Sequence, residues 1–129
     1  LMHGDSLCTR DQAYMAIRKV LRSSAFQADF LTKSIAERDA FAKGARQQSK
    51  AHTREAASDI MDVTPDEVPL VMKAHGVDLL IHGHTHRPAV HTLHIDALPA
   101  ERIVLGDWDQ RGWCLSVDRS GRHLQSFAI

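Results

Sequence analysis

Gly83-His84-Thr85-His86 places two imidazoles two residues apart, at the end of the apolar run Val77-Asp78-Leu79-Leu80-Ile81-His82. In extended backbone, residues i and i+2 point to one side with α-carbons roughly 6.6 Å apart, close enough to serve one metal ion or each of two neighbouring ions. Gly83 lets the chain turn at the strand end, where loops over an α/β sheet deliver functional groups. Residues 79–94 hold five of the nine histidines, and His75 lies just upstream. The others read differently: His82 as packing or as support for its neighbours, and His75, His91, His94 and His123 as hydrogen-bonded core residues.

A third candidate imidazole opens the chain in Met2-His3-Gly4-Asp5, again at what reads as a strand end followed by glycine. Two strand ends of one sheet can bring their histidines to a common point above it. Three imidazoles are too few for phosphate chemistry at two metals, because carboxylates are needed to bridge and neutralise the ions.

The elements that must position these groups follow from periodicity and punctuation. Thr9 is expected to cap a helix over about 10–22, with Tyr14, Ile17 and Leu21 on one face and Arg18, Lys19 and Arg22 on others. Phe26, Phe30 and Leu31 continue the helical spacing, as do Ile35 and Phe41 up to a break expected at Gly44. A third helical segment then runs from Ala45 to Met61. Thr64 as cap, Pro65 at the first helical position, Glu67 three residues after the cap and Gly76 as stop predict another helix. Strands are expected in Val77–Gly83, Ala89–Ile95, Glu101–Trp108, Gly112–Val117 and Arg122–Ile129, with turns at 96–100, 109–111 and 118–121. The order suits a layered α/β fold better than a helical bundle.

The chain has 129 residues, 43% of them hydrophobic, with a formal net charge of zero, enough for one core and an argument against nucleic acid as partner. Residues 10–54 are locally basic, ten Lys or Arg against four acids, and such a face can meet phosphates or an anionic membrane. Cys8 and Cys114 read as reduced, buried thiols. With no apolar run of 18 residues and no signal-peptide pattern at the start, the sequence predicts a cytoplasmic protein. Leu1 stands where an initiating Met is usual, so a longer protein beginning upstream is expected.

With its later Val104-Leu105-Gly106-Asp107-Trp108, the pair of strings "MHGD" and "GHTH" resembles the second half of a calcineurin-like metallophosphoesterase. "HGDSLCTRD", "SKAHTREAASDIMDV" and "LIHGHTHRPAVH" resemble the branch of that family acting on UDP-2,3-diacylglucosamine, over nearly the whole chain. The resemblance implies the C-terminal half of an αββα sandwich, residues 1–129 forming a partial domain with a helical cap insert at 10–62. It implies a centre of two Mn²⁺ ions, with His3 and His84 on one and His86 on the other. It also implies substrate contacts at Asp11, Ser49, Thr53 and His84, the last a catalytic group touching phosphate. The activity implied is hydrolysis of the pyrophosphate of UDP-2,3-diacylglucosamine to UMP and 2,3-diacylglucosamine 1-phosphate, in the lipid A pathway, peripherally on the inner-membrane surface.

Two departures stand out. Ala56 occupies a position where relatives often have lysine, and the family's DxH, GD and GN[HR]D motifs are missing, so the ligands they supply are expected upstream of Leu1 and the chain alone is expected to be inactive. Two other readings stay open: a metallophosphoesterase acting on a nucleotide or protein phosphate, and a non-catalytic histidine-rich metal-binding module. Oligomeric state is not legible in the sequence.

Overall fold

The computed structural model describes residues 1–55 and 61–129, with backbone alone over 50–55. Ala56 lies outside the described residues, and so does the side chain of Thr53. The chain forms two compact units, Thr9–Met61 and Leu1–Cys8 with Asp62–Ile129.

The first unit is helical: α1 (Gln12–Leu21), α2 (Ser24–Thr32) and α3 (Ile35–Glu55). The cap of α1 is Asp11 rather than the expected Thr9. Its carboxylate accepts from the Tyr14 N–H at 2.9 Å, because an Asx side chain reaches the third residue's amide as well as a threonine hydroxyl does. Ser23 caps α2 in the same way. Ser34 and Glu37 form a reciprocal capping box at the start of α3, with Ser34 N–H donating to the Glu37 carboxylate at 2.8 Å and Glu37 N–H to Ser34 Oγ at 3.3 Å. The Ser34 hydroxyl, which donates to the same carboxylate at 2.6 Å, and after it the Ser34 N–H hold the Glu37 carboxyl below its usual range. The break expected at Gly44 does not occur, since α3 runs through it without interruption. Glycine costs a helix only about 1 kcal/mol against alanine, and the flanking Ala, Lys, Arg and Gln are strong helix formers. Phe26, Phe30 and Phe41 form an aromatic cluster with ring centroids 5.4 to 5.7 Å apart. No helix among the described residues is long and apolar enough to cross a membrane.

The second unit is mixed α/β. α4 (Glu67–Ala74) starts later than expected, after a turn in which Glu67 N–H donates to Thr64 O at 3.0 Å. Pro69 falls in the first turn, where backbone donors have no helical partner to lose. Gly76 ends the helix at φ 61°, the left-handed cap position. Val68 and Met72, one turn apart, are buried with Leu80 and Ala100 of the sheet and with Leu7, Cys8 and Val63.

The sheet itself comprises β1 (Leu79–His82), β2 (Ala89–Ile95) and β3 (Leu98–Val104) in the order β1-β3-β2. β3 runs parallel to β1 and antiparallel to β2. The chain's opening residues flank β1, where Met2 bridges His82 in parallel, Met2 N–H donates to Ile81 O and Gly83 N–H to His3 O, both at 3.1 Å. A separate hairpin pairs β4 (Gly112–Asp118) with β5 (Gly121–Phe127). Arg122 of the hairpin donates to Glu101 of β3 at 2.8 Å.

Two expectations about side chains fail. His75, His91, His94 and His123 are exposed rather than core: His94 and His123 point away from the half-buried side chains of β2 and β5, His91 shares the face of Leu93 and Ile95 but stays open to solvent, and His75 follows the end of α4. Cys8 is buried, but Cys114 is only half-buried; both are free thiols.

The β2–β3 connection is tighter than the five-residue turn expected. Asp96 and Ala97 alone turn the chain, at φ 50° and 68°. Two left-handed central residues define the hairpin turn whose preferred sequence is Asn-Gly. Alanine in that conformation costs about 1–2 kcal/mol. Ala97→Gly is therefore expected to stabilise the protein by about 1 kcal/mol net of glycine's extra chain entropy, a rise of a few degrees in Tm. An unchanged or lower Tm would show that the turn stores no strain. The opposite holds at Gly4, with φ 104°, where an added Cβ would lie 2.7 Å from His82 Nδ1 and 3.2 Å from Gly83 O. His82 is fully buried and has no room to retreat. Gly4→Ala is expected to cost about 2 kcal/mol or more in thermal or denaturant melts, and parental stability would show that the contact yields.

Candidate metal centre

The paired backbones of residues 1–3 and β1 end side by side, and this sets the histidines. His3 and His84 stand with ring centroids 4.9 Å apart, tilted by 60°. His3 Nδ1 lies 3.2 Å from Asp5, a carboxylate that is itself buried in a short 3-10 turn. His86 Nδ1 lies 3.3 Å from Asp107. A carboxylate on Nδ1 fixes the tautomer and directs Nε2 outward as the ligating nitrogen, the usual support for a metal-binding histidine.

The extended geometry expected for His84 and His86 is overturned. Their φ values are 67° and 52°, both left-handed. β1 stops at His82 because the chain turns at once, with Thr85 N–H donating to Gly83 O at 2.8 Å while Leu105 N–H takes the His82 carbonyl at 2.8 Å. Each left-handed histidine costs about 1–2 kcal/mol, strain of the kind that gathers at functional sites. Thr85 Oγ1 is buried within this turn with no hydrogen-bond partner among the described residues.

Burial, and after it the neighbouring His3, holds the His84 imidazole below the usual histidine range. It is thus neutral at neutral pH, the form that ligates metals. His82 is held down mainly by burial as well, and its Nδ1 sits 2.9 Å from the Gly83 carbonyl. It packs beneath the turn.

The donor chemistry suits a divalent ion: three imidazoles, two of them oriented by carboxylates. Even so, among the described residues no three His, Cys, Asp or Glu side chains gather closely enough to hold an ion by themselves. The structure brings His3 and His84 together, and His86 follows two residues on. Asp11 is buried and caps α1, whereas Ser49 is exposed on α3. Thr53 has only its backbone described. Sequence reasoning missed Asp5 and Asp107; the signal available was a Gly-Asp at a strand end, in "HGD" and "LGD".

No family model matches the chain. Curated proteins do. A UDP-2,3-diacylglucosamine hydrolase of Pseudomonas paraeruginosa is 54% identical over all 129 residues, which correspond to 54% of that protein. Its namesake in Pseudomonas entomophila is 54% identical over 98% of the chain and 53% of its own length. That of Stutzerimonas stutzeri is 52% identical over the whole chain and 54% of its own length. The chain spans about half the length of the curated relatives it matches. Along its whole length the chain is similar to proteins named UDP-2,3-diacylglucosamine hydrolase.

Proposed function

We propose that these residues form part of a two-metal phosphoesterase that hydrolyses the pyrophosphate of UDP-2,3-diacylglucosamine, in lipid A biosynthesis, to UMP and 2,3-diacylglucosamine 1-phosphate. The observation that carries the reading is the approach of His3 and His84, 4.9 Å apart, from adjacent strand ends. Identity of 54% along the whole chain to proteins of that name supports it. The fold we infer for the complete protein is a calcineurin-like αββα sandwich, to which the β1-β3-β2 sheet and α4 contribute.

In this reading His3 and His84 would hold one Mn²⁺ and His86 the other, and the carboxylate ligands such a centre needs would come from residues outside these 129. When bound, the ions supply positive charge against the charge that develops on the cleaved pyrophosphate. Asp5 and Asp107 keep the proton on Nδ1 of His3 and His86, so that Nε2 of each faces the centre. His84, neutral through burial, also touches the phosphate. Water attacks the α-phosphorus and the bond to the bridging oxygen breaks, so the second phosphate leaves with the sugar. Asp11, Ser49 and Thr53 contact the substrate, and the cluster of Phe26, Phe30 and Phe41 offers the apolar surface that acyl chains require. On α1, Ile17 and Val20 are more than half exposed beside Arg18, Lys19 and Arg22, which suits a cytoplasmic protein resting on the anionic inner membrane.

The test uses the protein that carries these residues together with the rest of the centre. His84→Ala or His86→Ala is expected to lower Mn²⁺-dependent UMP release by about 100-fold or more, with bound Mn²⁺ reduced in parallel. Asp107→Asn is expected to cost about 10- to 100-fold through His86 alone. Near-parental turnover and metal content in the histidine variants would remove them from the ligand set.

A further inference from the structure

Between the start of α4 and the β2–β3 face lies a cavity of about 240 Å³, lined by Asp62, Val63, Val68, His91, Leu93 and Arg102. Arg102 and His91 are direct partners across the β2–β3 ladder, so their side chains share this face of the sheet. Arg102 Nη1 is buried and has no hydrogen-bond partner among the described residues. His82 lies on the same face, since Leu80, two residues before it, pairs with Arg102; it is fully buried, and its Nε2 is likewise without a partner among those residues. Buried polar atoms in folded proteins are nearly always satisfied, so each exception calls for an explanation, and for Arg102, which lines the cavity, a bound partner supplies one. The one lining carboxylate, Asp62, is already engaged by Arg87 at 2.8 Å. Burial depresses both the Arg102 guanidinium and the His91 imidazole, a cost that a bound anion would relieve.

We propose that this cavity binds a small tetrahedral oxyanion of the inorganic phosphate class, with Arg102 as the gripping residue and His91 at the rim. A guanidinium presents paired N–H donors at the spacing of two phosphate oxygens, and the cavity has room for such an ion. The site is separate from the histidine pair and does not depend on the hydrolase reading.

Inorganic phosphate is the probe, titrated into the intact protein at constant ionic strength in chloride, with the His91 ring NMR signals and Tm followed together. Saturable movement of the His91 signals with a parallel rise in Tm is expected. Arg102→Gln, which keeps the stem and removes the charge, should weaken phosphate binding on the order of tenfold or more. His91→Gln, at an exposed position that threatens the fold less, should weaken it a few-fold. No saturable response, or a response equally strong in Arg102→Gln, would mean an adventitious ion only and would overturn the proposal. If Arg102→Gln fails to fold, His91→Gln decides: unchanged affinity overturns the site.

Discussion

Two backbone hydrogen bonds, from Met2 N–H to Ile81 O and from Gly83 N–H to His3 O, set the register on which the candidate centre depends. Side chains alternate along a strand, so a slip by one residue would turn His3 to the opposite face of the sheet. Each bond contributes only about 1 kcal/mol net. Their register is therefore backed by packing: Gly4 lies against the His82 ring, and Leu7, buried beside Met72, accepts from the Thr64 N–H at 2.8 Å. The histidine that opens the chain is thereby joined to the core under α4, some sixty residues later.

The same core bears the cost of the turn that follows β1. Two non-glycine residues in left-handed backbone within three positions would relax if the flanking segments could move. They cannot easily do so, because the His82 carbonyl, the Gly83 amide and the His82 ring are all committed to neighbours. The imidazoles are thus presented by a rigid edge, which favours binding by reducing the conformational freedom lost when a ligand arrives.

Much of this was legible in the sequence where local physics decides the outcome. The Gly76 stop and the strands at Leu79 and Ala89 follow from glycine conformation and alternating apolar residues. Gly44 misled because a helix tolerates glycine where nothing crowds it, and no atom comes within 4 Å of its would-be Cβ. The shape of His84-Thr85-His86 was not legible, since strand termination there depends on Leu105, about twenty residues away. Asp5 and Asp107 were missed for a similar reason: a carboxylate becomes a histidine's partner only when the fold brings their atoms together. Exposed His94, on the outer face of the edge strand β2, and exposed His91, on the same face as Leu93, show the limit of reading burial from an apolar neighbourhood.

The β4–β5 hairpin supplies no histidine of the candidate centre, yet it constrains one of those proposed. Any side chain on Gly106 would collide with the Trp113 ring, whose carbonyl also receives the Trp108 indole N–H at 2.8 Å. Trp108 in turn meets Phe127 edge-on, with centroids 5.2 Å apart. Asp107 sits between these two anchored neighbours, so the aromatic stack acts as a strut that aims its carboxylate at His86. A change to the hairpin's aromatic residues would therefore be felt at the Asp107 carboxylate and, through it, at the His86 ring far along the chain.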